Sequence, residues 1–175
     1  MSTIYKTVKN TYTNTEISIA KPIDEEVIIY DDSMMVTETD TLGIITYANR
    51  RFIKLSGFRK DELIGSPQSI HYHPDMPVGL FQARIKIVST KKVWCGYVKN
   101  ICKDGKFYWC LMHMQAKLDA NNTIVGYTAT RKRADAQKIK EIAKTYSDLS
   151  GNEHINHKYF MSATLRHGEQ TATRA

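Results

Sequence analysis

The sequence of 175 residues has no apolar run that approaches the roughly 20 residues needed to span a bilayer. Its first segment, MSTIYKTVKNTYTNTEISIAK, also lacks the continuous apolar stretch of a secretion signal. We therefore expect a cytoplasmic protein without direct membrane insertion, which reaches a membrane only through a partner.

Cysteine is scarce, and the pairs that usually hold a metal are missing. The cysteines are Cys95, Cys102 and Cys110, and no two of them form a CxxC pair. Zinc ribbons and thioredoxin-type sites are therefore not expected, and reduced thiols match a cytoplasm. The pairs His71-x-His73 and His154-x-x-His157 have no Cys or acidic partners at ligand spacing, so we predict no metal site.

The net charge of +7 is spread along the chain without clustered Lys/Arg runs, which argues against nucleic-acid binding. No G-x-S-x-G elbow, HExxH pair or phosphate loop is present, so we do not expect an enzyme. A hydrophobic content of 42% is typical of a globular chain, and the length favours one domain with extensions.

The first half contains one extension and the start of a sheet. Residues 1–33 are polar and rich in Thr and Asn, which predicts a loose arm with one short ordered piece at 27–30. Residues 34–38 and 44–48 are strand candidates that form a hairpin. Asn49 is a suitable N-cap for the short helix RRFIKLS, and a second short helix, KDELI, follows.

The second half predicts one longer helix and a three-stranded meander. Val78, Phe81, Ile85 and Val88 recur at helical spacing between Pro77 and Ser89, which predicts an amphipathic helix with that face buried. The segments VWCGYVKNIC, KFYWCLMHMQAKL and IVGYTAT read as strands, the first two joined at Lys-Asp-Gly. This order describes an α+β domain whose five-stranded antiparallel sheet carries short helices and one longer helix over one face.

A further helix is predicted in the extension 132–175. In RADAQKIKEIAKTYSDL the apolar residues Ala136, Ile139, Ile142, Ala143 and Tyr146 form a stripe at helical spacing. The stripe either packs on its own domain or forms a surface for a partner. Beyond Gly151 little periodicity remains, and we expect a flexible tail.

Four segments resemble, in order and spacing, a PAS domain over residues 34–131. They are VTETDTLGIITYANRRFIKLSGFRKDELIG, HPDMP before the long helix, VWCGYVKNICKDGKFYW and IVGYTATR. Within the PAS family they look most like the FAD-binding domains of aerotaxis and energy-taxis receptors. The resemblance implies a redox sensor that binds FAD non-covalently, forms a homodimer and signals through contacts with a separate membrane-bound chemotaxis transducer.

Strand parity favours Trp94 and Asn100 as flavin contacts. They lie an even number of residues apart in one strand and so face the same way, with Gly96 between them. Trp94 would provide an aromatic wall and Asn100 an amide, although a core tryptophan and a turn-preceding asparagine explain the same pattern. The resemblance implies the flavin role, and we also include Asn49 in the candidate contacts.

The hairpin register decides which residues of the next strand join Asn100. An odd loop places Tyr108 and Cys110 on its face, and an even loop places Trp109 and Leu111 there. The resemblance to light-sensing LOV domains, which carry asparagine at the position of Cys110, favours the odd loop. No cysteine lies between residues 44 and 93, so we expect no covalent light adduct.

The segment HYHPDMP predicts a rigid elbow before the long helix, because each proline restricts the backbone around it. Asp75 is a candidate helix cap. The resemblance implies that His73 lies beside the flavin with Asp75 in support, and that Tyr72 stands where the family often has arginine. His71 is expected to point to solvent.

Two other functions remain open from the residues alone. A haem-binding gas sensor would use His71, His73 or His113 as its axial ligand. A ligand-free PAS module would act through dimerisation alone.

Overall fold

The computed structural model describes residues 3–150, and the predicted tail beyond Gly151 lies outside them. The strands are β1 (Ile4–Lys9), β2 (Glu16–Ala20), β3 (Met35–Thr39), β4 (Ile45–Ala48), β5 (Trp94–Ile101), β6 (Phe107–Leu118) and β7 (Ile124–Arg133). The helices are α1 (Arg50–Ser56), α2 (Lys60–Leu63), a 3-10 turn (Gln68–His71), α3 (Val78–Val88) and α4 (Ala136–Ser150).

The predicted five-stranded antiparallel sheet is confirmed, with strand order β4-β3-β7-β6-β5. Along β6 the side chains alternate between buried and half-buried positions from Phe107 to Met114. This alternation divides the sheet into an inner face, which packs under the short helices and α3, and an outer face.

The hairpin between β5 and β6 has the odd loop. Ile101 pairs with Phe107 across residues 102–106, and Gly105 takes a φ of 92°, a conformation that favours glycine. Asn100 therefore lies opposite Tyr108, and Cys110 is on the same face. The odd loop favoured by the resemblance to LOV domains is confirmed.

Helix α1 begins and ends where the sequence predicts. The Asn49 side chain accepts a hydrogen bond from the backbone N–H of Phe52 at 2.9 Å, and Gly57 ends the helix with a φ of 74°. Helix α3 begins directly after Pro77, also as predicted.

The predicted apolar face of α3 is buried only in part, at Val88 and Phe81. Val78 is 70% exposed and Ile85 is exposed as well. Besides Val88, the buried side chains of this helix are Leu80, Ala83, Arg84 and Ile87. Apolar residues occupy every side of this helix, so periodicity alone did not single out the side that meets the sheet.

The prediction of a loose N-terminal arm is also wrong. β1 and β2 form an antiparallel hairpin whose side chains Ile17 and Ile19 are buried. Asn10 at its turn donates to the carbonyl of Ile64 at 2.7 Å, which attaches the hairpin to the end of α2. The ordered piece predicted at 27–30 is attached to the domain without forming a strand: the N–H of Val27 donates to the carbonyl of Phe107 at 2.7 Å, and Ile29 is buried.

Helix α4 folds back on its own domain. Ile142 and Tyr146 are buried, and the Tyr146 hydroxyl donates to the carbonyl of Tyr97 at 2.9 Å. The Tyr146 ring also stacks on Trp109 with centroids 6.3 Å apart. Tyr97 and Trp109 belong to the outer face, so α4 covers the side of the sheet opposite to α3.

Candidate functional site

Buried polar groups collect between the inner face of the sheet and the helices. Within residues 3–150, several such side chains have a nitrogen or oxygen atom without a hydrogen-bond partner. Those that the registers or contacts place in this interior are Thr39, His71, Arg84, Trp94, Tyr108 and Arg131. Unpaired buried polar atoms are rare and costly in proteins, so their concentration in one place indicates a ligand site.

Asn100 lies at the centre of this site. Its Oδ1 is 3.2 Å from Nδ1 of His71, and its Nδ2 donates to Sγ of Cys110 at 3.7 Å. Because Oδ1 only accepts, Nδ1 of His71 carries the hydrogen and Nε2 is left as an acceptor. His71 is 1% exposed, so the expectation that it points to solvent is wrong.

The backbone of the elbow holds His71 in place. Tyr72 forms an antiparallel bridge with Asn100 along the outer edge of β5. Lys6 of the N-terminal hairpin donates to the carbonyls of Ser69 and Tyr72 at 2.7 and 3.0 Å. Burial lowers the pKa of Lys6 to about 8. Burial and the nearby Arg131 hold the pKa of His71 well below its usual range, so the imidazole is neutral at pH 7.

His73 lies on the other side of β5. Its Nδ1 accepts from the backbone N–H of Asp75 at 3.1 Å, and its ring is 6.0 Å from that of Phe107. The Asp75 carboxylate pairs with Lys99 at 2.7 Å, and Lys99 faces away from Asn100. The predicted helix-capping role of Asp75 is wrong, because no side chain caps the start of α3. Burial, together with Lys99, lowers the pKa of His73 to about 4.

The Trp94 indole lies over Gly96. A methyl group at residue 96 would be 2.7 Å from the indole ring, so only glycine permits this arrangement. Trp94 is 1% exposed, and its Nε1 has no acceptor within residues 3–150. The indole therefore forms part of the interior wall at the start of β5, the strand that also carries Asn100. Its Nε1–H is available to donate to a ligand.

Tyr108 and Cys110 stay protonated at neutral pH. Burial raises the pKa of the Tyr108 hydroxyl well above its usual range and that of the Cys110 thiol to about 12. Cys110 is therefore a poor nucleophile. It accepts the Asn100 amide hydrogen, and the Tyr108 hydroxyl is oriented toward the same interior.

Two buried arginines were missed from the sequence. Arg131 on β7 is 2% exposed, donates to Oγ1 of Thr37 at 2.9 Å and lies 5.1 Å from the centre of the Phe52 ring. Arg84 on α3 is 3% exposed and donates to the Tyr72 hydroxyl. For Arg131 a signal existed, since it shares the inward parity of Tyr127 and Ala129.

Two other candidates are occupied elsewhere. The Asn49 amide accepts from the N–H groups of Val36 and Phe52 and donates to the carbonyl of Met34, so the structure gives it a role in joining α1 to β3. His113 lies on the outer face, with Nε2 3.2 Å from Sγ of Cys95.

In the part of the chain that the structure describes, no three His, Cys, Asp or Glu side chains are grouped as metal ligands. Nor is any helix among residues 3–150 long and apolar enough to cross a membrane.

Comparison with known proteins identifies the family. The PAS fold family matches residues 31–132. The Aerotaxis receptor of Escherichia coli (strain K12) is 32% identical over 120 residues, which are 69% of this chain and 24% of the receptor. The chain thus spans about a quarter of that relative's length.

Solved structures show the same fold. The light state of the blue-light photoreceptor Aureochrome1 LOV has a TM-score of 0.57 at 19% identity, covering 63% of this chain and 89% of the other. A PAS domain from Colwellia psychrerythraea has a TM-score of 0.54 at 23% identity, covering 58% and 86%. With its five-stranded sheet and its similarity to the aerotaxis receptor, the chain belongs to the PAS family.

Proposed function

We propose that this chain is a cytoplasmic redox sensor for energy taxis that binds FAD non-covalently between the inner face of the sheet and α3. The observation that carries the proposal is the group of buried, unpaired polar atoms around Asn100. The similarity to an aerotaxis receptor supports the sensory role. The sensor comprises residues 34–131, flanked by the extensions 1–33 and 132–175.

The interior residues match the needs of a flavin. An aromatic wall, amide groups and hydroxyl groups are the usual partners of a flat, polar-edged ring. Trp94 provides the wall, and Asn100, His71 and Tyr108 provide polar contacts at one edge, with Cys110 beside them. Tyr72 supports this edge through its backbone bridge to Asn100, whereas His73 and Asp75 lie on the other side of β5. Asn49 is left out because its amide binds the backbone.

Bound FAD would supply an electron-accepting ring whose charge and protonation depend on its redox state. Asn100 responds to such a change because its amide can exchange partners between a ligand, His71 and Cys110. Neutral His71 donates from Nδ1 and accepts at Nε2, so it is able to follow a change in either direction.

The signal leaves through β5. Asn100 lies on its inner face, and the Tyr97 carbonyl of the same strand holds Tyr146 of α4 on the outer side. A shift at Asn100 therefore changes the position of α4 and of the elbow together. We propose that a homodimer presents this surface to a membrane-bound chemotaxis transducer, with a coupling of about 1–3 kcal/mol between redox state and binding.

An absorption spectrum of the purified protein in air and after dithionite tests the proposal. Flavin bands that bleach on reduction and return in air are expected. A colourless protein that also fails to take up added FAD would leave the ligand-free interaction module as the function.

Haem is the second candidate, because Nε2 of His71 is buried, neutral and without a partner among residues 3–150. A neutral imidazole nitrogen is the usual proximal ligand of a haem iron. The same spectrum separates the two, since a Soret band that disappears in His71→Ala would indicate haem.

A further inference from the structure

The N-terminal hairpin of β1 and β2 lies outside the part of the chain that matches the PAS family, which begins at residue 31. It is nevertheless attached to that domain at both ends. At its turn the N–H of Thr11 donates to the carbonyl of Gly65 at 2.7 Å, and at its base the N–H of Ala20 donates to the carbonyl of Lys103 at 3.0 Å. The hairpin thus spans the distance from the end of α2 to the β5–β6 turn.

Lys6, in the middle of β1, connects this hairpin to the segment that leads into the elbow. Its Nζ donates to the carbonyls of Ser69 and Tyr72 at 2.7 and 3.0 Å. Ile70 and His71 lie between these two residues in the chain, and both side chains are buried. The segment therefore presents two carbonyls to Lys6 and the His71 ring to Asn100. The position of His71 in the interior thus depends on Lys6.

Lys6 holds its charge without an acid. Within residues 3–150 it forms no ion pair, and the titratable groups that face it are Tyr5, whose ring centre is 5.6 Å away, His71 and His73. Lysine rarely leaves water without an acidic partner. The two backbone carbonyls therefore take the place of that partner, and the ammonium group fixes both of them.

The elbow covers the ligand site. His71, Trp94 and Asn100 are at most 3% exposed, so a ligand enters this interior only when a covering segment moves. The elbow is joined to β5 by the isolated bridge of Tyr72 with Asn100 and not by a continuous ladder. Segments with few backbone hydrogen bonds open most readily, so the two bonds from Lys6 contribute strongly to keeping the elbow closed.

We propose that Lys6 is a positioning residue of the ligand site, which fixes His71 against Asn100 and keeps the elbow closed over the interior. The N-terminal hairpin is then a part of the sensor that controls how fast a ligand enters and leaves. The statement on ligand exchange rests on the proposed function, whereas the statement on His71 holds without any ligand.

Amide hydrogen exchange of the flavin-free protein tests the position of the elbow. The N–H of Tyr72 donates to the carbonyl of Ser69 at 3.1 Å, so its exchange reports whether this segment is closed. Lys6→Met keeps an unbranched side chain and removes the donor. It is expected to lower the protection of the Tyr72 amide by about tenfold or more, the usual effect of losing hydrogen bonds from a charged donor.

Three further variants separate the charge from the packing. Lys9→Met removes an exposed lysine from the same strand and is expected to leave the Tyr72 amide unchanged. Lys6→Arg keeps a charged donor and is expected to retain most of the protection. Lys6→Gln has no charge and serves the same comparison if Lys6→Met fails to fold.

Stopped-flow fluorescence with FAD tests the exchange of the ligand. Lys6→Met is expected to raise both the association rate and the dissociation rate, by about threefold to tenfold, and Lys9→Met neither. A loosened cover accelerates both steps, whereas a damaged binding site accelerates dissociation alone.

Unchanged protection of the Tyr72 amide in Lys6→Met and Lys6→Gln would overturn the inference, whatever the ligand is. Faster dissociation with unchanged association would overturn the role of the hairpin in ligand exchange. Lys6→Arg with the same loss as Lys6→Met would show that the charge is not what fixes the elbow. If the unmodified protein binds no FAD, the proposed function is wrong, and the exchange of the Tyr72 amide still decides the position of His71.

Discussion

Two histidines two positions apart serve opposite sides of one strand. His71 contacts Asn100 on the inner face of β5. His73 contacts Asp75, which pairs with Lys99 on the other face of this strand. The family resemblance implied that His73, and not His71, lies beside the flavin. The sequence of the elbow does not reveal which histidine faces the interior around Asn100, because both histidines are buried and have the same chemistry.

The first prediction concerns these two residues. His71→Ala is expected to lower flavin content more than His73→Ala, because it removes the partner of Asn100 from the interior. Flavin-to-protein absorbance ratios of the purified variants measure this. The reverse order would place the ligand beside His73 and contradict the site as described.

The second prediction concerns Gly96. Gly96→Ala places a methyl group 2.7 Å from the Trp94 ring, so the indole must move. We expect a loss of about 1–3 kcal/mol in the free energy of unfolding, as for other overpacked cores, together with lower flavin content. Urea denaturation measures the first. Gly96→Ala combined with Trp94→Phe makes room and is expected to recover part of the stability.

At the scale of elements, the sequence predicted what local patterns determine. Helix ends at Asn49 and Gly57 and the β5–β6 turn at Gly105 have their own signals, and all lie as expected. The turn signal did not decide between an odd and an even loop, and the resemblance to LOV domains favoured the odd loop that places Tyr108 and Cys110 beside Asn100.

What the sequence did not reveal depends on contacts between distant segments. Strand β2 alternates Ile17 and Ile19 with polar residues, but a pattern of five residues also fits a loop. The hydrogen bond from Asn10 to the distant carbonyl of Ile64, which attaches this hairpin to the domain, has no signal in the local sequence. Arg84 was hidden because a charged residue within a helix is normally a solvated one.

The third prediction concerns the attachment of α4. Tyr146→Phe removes the hydroxyl that donates to the Tyr97 carbonyl and is expected to lower the free energy of unfolding by about 0.5–1.5 kcal/mol. Hydrogen exchange along α4 should become faster. Tyr30→Phe is the matched control, since Tyr30 is 83% exposed. Unchanged exchange in Tyr146→Phe would show that Ile142 and the stacked Trp109 hold the helix without it.

The fourth prediction concerns the whole molecule and describes how its free energy of unfolding depends on pH. His71 and His73 both have pKa values below the usual 6.5, that of His73 being about 4. Below pH 6.5 the unfolded chain therefore binds more protons than the folded one. The contribution of these two histidines to stability is complete above about pH 6.5 and is lost as the pH decreases below it, by at most about 1.4 kcal/mol per pH unit for each histidine.

Urea denaturation between about pH 7 and about pH 5 measures this dependence, above the range where most carboxylates titrate. His73→Gln is expected to reduce the slope, because glutamine binds no proton in either state. A slope identical to that of the unmodified protein would mean that His73 titrates normally in the fold.

The position of β3 in the sheet has a consequence for how the chain reaches its fold. β3 pairs with β7, for example Thr37 with Ala129, across most of the domain sequence, whereas β5, β6 and β7 are joined by short turns. Contacts between distant segments form late, because a long loop must close first. During synthesis, the hairpin of β3 and β4 emerges from the ribosome before β7. The edge of β3 that later pairs with β7 is unpaired during that time. A nascent chain stalled before Ile124 thus exposes the unpaired edge of β3. We expect chaperones to bind that edge at this stage of synthesis.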